Sequence, residues 1–103
     1  MKKLFRMEEW QSPGGMWHCA HTGSFPQDVD LWIIPARLLG LPLDKYIMYI
    51  KENYKSAHIH IREDGGFVSI SWESLAEMRK FKNKINALAR QKNLQIWYFK
   101  NKV

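Results

Sequence analysis

His18, Cys19 and His21 stand close together, and His58 and His60 lie two apart in an alternating run. Thiolate and imidazole are the donors of tetrahedral zinc sites, so these side chains could hold a metal if the two segments met. Their spacing matches no zinc module, and two histidines at i and i+2 of a strand simply share its polar face. No metal and no cofactor are therefore expected. Nucleophilic catalysis has as little support. Cys19 beside His18 is a neighbour pair in sequence, whereas a triad is assembled from neighbours in space. Ser69, Ser71 and Ser74 lack the setting of a nucleophile elbow. The glycine pairs at 14–15 and 65–66 fall in hairpin turns and not between a strand and a helix, where a phosphate loop belongs. The chain reads as a binder and not as an enzyme.

The residues that could bind lie in 74–92, SLAEMRKFKNKINALARQK. Leu75, Met78, Phe81, Ile85, Leu88 and Ala89 recur at steps of three and four, so they share one side of a helix and face a core. Arg79, Asn83, Asn86 and Arg90 recur at the same steps and are expected on the solvent side, with Lys80 and Lys84 beside them. Ser74 and Glu77 form a capping box that marks the helix start. Charge is unevenly placed around this helix. Residues 74–103 hold eight basic residues against Glu77 alone, whereas 1–73 hold eight basic and nine acidic ones. Nearly all of the net charge of +6 therefore belongs to the last helix and tail, as expected of a face that meets a polyanion. A solvated lysine-rich helix is the plain alternative.

The elements that must position this helix follow from pattern. A chain of 103 residues is expected to form one domain, 1–103, and 46% hydrophobic content is enough for an ordered core. Residues 2–10 and 16–21 flank Pro13-Gly14-Gly15, a turn signal that makes an N-terminal β-hairpin. Residues 22–30 read as a loop. Residues 31–34, LWII, form either a buried strand or the lead-in to a helix. Pro35 suits a first helical turn that runs to Gly40, and Leu43, Tyr46, Ile47, Ile50 and Tyr54 define the apolar face of a second helix. AHIHIR at 57–62 and FVSISW at 67–72 alternate cleanly about Glu63-Asp64-Gly65-Gly66 and make a second hairpin. Its core face is expected to carry Ile59, Ile61, Val68, Ile70 and Trp72. LQIWYFK at 94–100 is β-prone. The fold class is α+β, a small antiparallel sheet with helices on one face. If 31–34 is a strand, the order becomes the split β-α-β-β-α-β of ferredoxin-like domains, preceded by the N-terminal hairpin.

Two short resemblances point toward nucleic acid. Residues 66–70, GFVSI, are similar to the second half of the RNP1 stretch of RNA-recognition motifs, which implies that Phe67 stacks on a base and that Trp32 is a second platform. Gly65 stands where that family's first aromatic belongs, and Glu63 where its leading basic residue belongs. Residues 36–47 resemble the core of a helix-turn-helix, with Ala36 and Gly40 at the right spacing. Pro35 and Pro42 depart from that pattern, and Lys45 is the only basic residue before Lys51 on the would-be recognition helix. Neither match extends far enough to place the chain in a family.

The leading expectation is a nucleic-acid-binding module, for DNA or RNA, that uses Arg79, Lys80, Asn83, Lys84, Asn86 and Arg90 with Phe67, His58 and His60. Arg79 and Arg90 are each expected to supply one phosphate contact. The alternative is a phage-type small inhibitor or adaptor that binds a protein or nucleoprotein complex, as an anti-CRISPR-like blocker of a nuclease does, with Trp10, Trp17 and Tyr49 as interface anchors. A homodimer that pairs the edge strand at 95–99 is a third. One cysteine, no signal-peptide pattern and no membrane-length apolar run lead to the expectation of a soluble cytoplasmic protein with no membrane partner.

Overall fold

The computed structural model describes residues 5–21, 34–61 and 67–91, with the backbone alone for Phe67 and Val68. In chain order these form β1 (Met7–Gln11), β2 (Trp17–His21), α1 (Ile34–Leu39), α2 (Leu43–Asn53), β3 (Ala57–Ile61), β4 (Phe67–Trp72) and α3 (Leu75–Gln91). The strands make one antiparallel sheet in the order β1-β2-β4-β3. The class is α+β. The ferredoxin-like order does not emerge: Ile34 opens α1, while 31–33 and the β-prone run at 94–100 lie outside the described residues.

Local chemistry explains each boundary. In the β1–β2 turn the Gly15 amide donates to the Ser12 carbonyl at 2.9 Å and the Ser12 amide to Met16 at 2.9 Å. Pro13 presets the first turn residue, and Gly15 takes φ 93°, which side chains with a Cβ resist. At the end of α1, Leu41 donates to the Ala36 carbonyl at 2.9 Å and Gly40 to Arg37 at 3.1 Å, while Gly40 adopts φ 74°. This is a Schellman ending, and Pro42 then serves as the N-cap of α2.

One core joins the helices to one side of the sheet. Trp72, Tyr46, Phe81, Ile34, Ile50, Met78 and Ile85 are its largest fully buried side chains. At its centre Tyr54 meets Trp72 and Phe81 edge-on, with ring centroids 5.2 and 5.7 Å apart. Strand alternation carries Met7, Cys19, Ile70 and Trp72 into this core, and leaves Glu8, Trp10, His18, His58 and His60 on the opposite side. Ile61 is more exposed than a core position would be. The register shifts between His60 and Ile61, pairing Ile61 with Phe67, and the side chain is 49% exposed. A bulge of this kind re-aims the residues around it.

The start of α3 is tied to the β3 side of the sheet. Ser74 Oγ accepts from the Glu77 amide at 3.2 Å, as a capping box requires, but the return contact is relayed. Glu77 accepts from the Ser56 amide at 2.8 Å and from its hydroxyl at 2.5 Å, and Ser56 Oγ in turn accepts from the Ser74 amide at 3.2 Å. The hydrogen bonds from the Ser56 hydroxyl and amide hold the Glu77 carboxyl below its ordinary value of 4.5. A carboxylate with a lowered folded pKa stabilises the fold above the ordinary value and loses that contribution as pH falls through the folded one. In urea unfolding, the midpoint of the wild-type chain should therefore drop as pH is lowered from about 4.5. Glu77→Gln should be less stable at neutral pH and show a shallower acid decline.

Candidate nucleic-acid interface

The orientation of α3 is decided by its apolar arc. Met78, Phe81, Ile85 and Ala89 are buried, and Leu75 and Leu88 are partly buried against the same core. At about 100° per residue, the opposite arc carries Arg79, Arg90, Asn83, Lys80 and Lys84. All five are exposed. That exposed arc holds no carboxylate, because Glu77 lies at its border and is turned onto Ser56. The exposed side of α2, by contrast, mixes Asp44 and Glu52 with Lys45 and Lys51.

Asn86 does not belong to the solvent side. It is 7% exposed, and its Oδ1 accepts from the Met7 amide at 2.8 Å while its Nδ2 donates to the Met7 carbonyl at 3.1 Å. β1 is an edge strand among the described residues. Asn86 stands where a further strand would, and satisfies one N–H and one C=O that burial would otherwise leave costly. Its place in the sequence, roughly 20° from Arg79 around the helix, puts it at the border of the two arcs. A stepwise pattern of polar residues cannot separate that border from the solvent face.

The same seam binds two cations. Arg79 Nε donates to both oxygens of Glu9, at 3.1 and 3.3 Å, and Lys82 Nζ donates to Glu9 at 3.0 Å. Hydrogen bonding to Lys82 is the largest cause, with Arg79 adding to it, that holds the Glu9 carboxyl below its ordinary range against the opposing effect of desolvation. Lys84 meets no carboxylate among the described residues: Nζ donates to Tyr49 Oη at 2.9 Å and lies 5.4 Å from the centroid of that ring. Glu9 and Lys82 are not among the expected site residues, and Tyr49 is expected only as an interface anchor of the alternative reading. The alternation that buries Met7 already places Glu9 on the helix side, but no spacing tells which cations it meets.

His58 and His60 do not join this surface. They lie on the other side of the sheet, where His58 Nε2 is 2.9 Å from a Glu73 oxygen and His60 Nε2 is 2.8 Å from Ser71 Oγ. Trp10, 42% exposed, stacks there on His18 with centroids 5.4 Å apart. Phe67 is on β4, and its side chain lies outside the described residues. The zinc-type donors are divided as well, since alternation puts Cys19 on the helix side and His18 on the other. Among the described residues no three of His, Cys, Asp and Glu come together. Cys19 is buried, and burial pushes its thiol up to about 12, so it is held as the neutral, unreactive form. No helix among the described residues is long and apolar enough to cross a membrane. No family model matches the chain, and neither the curated proteins nor the solved structures give a match.

Asn86→Ala tests the seam. It removes two hydrogen bonds and leaves the Met7 amide without its partner, so a loss of about 2–3 kcal/mol is expected in chemical denaturation. Asn86→Asp should also destabilise, because it keeps the acceptor for the amide and sets a second acceptor against the Met7 carbonyl.

Proposed function

We propose that this chain is a non-enzymatic nucleic-acid-binding module that engages the phosphate backbone of DNA or RNA through the exposed arc of α3. The arc itself supports the reading. Lys80, Lys84 and Arg90 are exposed and make no salt bridge among the described residues, and Asn83 lies between them. From Lys80 to Arg90 the helix rises about 15 Å, long enough to reach more than one phosphate of a strand. Lysine and arginine contacts of this kind position a strand without reading its sequence.

Three free cations imply a log–log salt slope of about −3 on duplex DNA and about −2 on a single strand. Fluorescence anisotropy with mixed-sequence duplex and single-stranded oligonucleotides, titrated at several KCl concentrations, measures it. Lys80→Ala and Arg90→Ala should each flatten the slope by about one contact and weaken all sequences alike. Arg79→Ala should change it less, because Glu9 already neutralises that guanidinium. Absence of binding at low salt, or binding that KCl does not weaken, would overturn the reading.

Trp10 favours a second reading, that of a phage-type inhibitor or adaptor for a protein or nucleoprotein partner. An exposed tryptophan stacked on a histidine is the kind of anchor that dominates interface energetics. That reading requires a complex that survives nuclease treatment and is lost in Trp10→Ala.

A further inference from the structure

Arg79 Nε and Lys82 Nζ converge on one carboxylate, and this is the geometry of a small anion site with an anion already in it. We infer that Glu9 is an internal plug in a two-cation phosphate site, and that a phosphate of the bound strand displaces it. The inference rests on the nucleic-acid reading of α3 and extends it to the seam beside β1.

Three observations support displacement over a fixed clamp. Glu9 keeps 26% of its side chain exposed and Arg79 keeps 53%, so the pair can be reached from solvent. Arg79 uses only Nε on Glu9, which leaves the terminal nitrogens of its fork without a partner among the described residues and available to a second anion. The seam also has a separate fastening. Asn86 holds Met7 by two hydrogen bonds and the buried arc of α3 holds the sheet, so Glu9 can swing out without opening the interface. Position adds to this: Arg79 borders the arc that carries Arg90 and Asn83, so a strand lying along α3 brings its next phosphate to the Glu9 site.

The plug lowers affinity and shortens the footprint in the resting chain, because each incoming phosphate must replace a carboxylate that is already bound. Glu9→Gln should steepen the duplex salt slope by about one to two units and tighten binding severalfold at low salt. Arg79→Gln alone should leave the slope nearly unchanged, and added to Glu9→Gln it should take back about one unit. Glu8→Gln is the control for net charge. It removes the same charge from the neighbouring residue, whose 54%-exposed side chain lies on the far side of the sheet, and should move the slope little.

A readout without nucleic acid separates this inference from the one it rests on. Sodium tripolyphosphate at fixed ionic strength should raise the melting temperature of Glu9→Gln more than that of the wild-type chain, and Arg79→Gln in the same background should remove the difference. If oligonucleotides fail to bind but this difference appears, the nucleic-acid reading falls and the anion site stands. Equal slopes and equal tripolyphosphate shifts for wild type and Glu9→Gln overturn the plug. Glu9→Ala, which removes the carboxylate without adding an amide, should repeat each change. If both Glu9 variants fail to fold, Glu9 is part of the scaffold and the inference is overturned.

Discussion

The rotation of α3 about its own axis is the constraint on which the surface of this protein depends. Burying Met78, Phe81 and Ile85 is worth about 1.5–3 kcal/mol each, whereas an exposed ion pair such as Arg79–Glu9 contributes of the order of 0.2–1 kcal/mol. The core therefore sets the rotation, and the charges take the places it leaves them. Asn86 refines the setting. An amide at the border of the buried arc matches one donor and one acceptor of an edge strand, and a small turn of the helix would leave both pairs unmade, at a cost larger than either bond contributes.

With the rotation fixed, the basic residues of α3 divide by distance from β1. Lys82 and Arg79 fall beside the strand, where Glu9 meets them, and Lys80, Lys84 and Arg90 fall beyond its reach. The positive field of the helix is therefore not spread evenly over its length and girth. It is a free arc along one flank and a neutralised pair along the other, and only the free arc acts on a distant polyanion before contact. At physiological salt the field of the arc extends about 8 Å, so an anion approaching from solvent meets the cations of the arc before it meets the Glu9 pair.

Most of the architecture was legible because the patterns that encode it are local. Both hairpins, the short helix that ends at Gly40, α2 and α3 follow from turn residues, capping signals and apolar periodicity. What escaped the sequence required knowledge of which element faces which. The polar stripe Arg79, Asn83, Asn86 and Arg90 looks uniform at helical spacing, yet Asn86 is buried, because a single strand edge lies against one border of the stripe. Ile61 follows the alternation of Ile59 but is half exposed, at the end of a strand that is an edge among the described residues, where the register of β3 on β4 shifts. Phe67 enters the expected site through its resemblance to the RNP1 stretch, and the histidines through the polar face that strand alternation gives them. The sheet separates His58 and His60 from it, since successive strand residues alternate and α3 covers the side that Ile70 and Trp72 occupy. The carboxylate of Glu9, seventy residues from Arg79, lies beyond any spacing rule.

The proposed contact lies on one flank of one helix, and a residue-level map of binding tests it directly. An isotopically labelled chain titrated with a short mixed-sequence oligonucleotide at low salt, followed by amide and side-chain NMR shifts, gives such a map. The predicted result is a continuous set of perturbations at Lys80, Asn83, Lys84 and Arg90, reaching Arg79 and Glu9 at one border, with Trp10, His18, His58 and His60 unmoved. Perturbations confined to the Trp10–His18 side of the sheet, or none at all at concentrations where the lysines of α3 should be occupied, would contradict it.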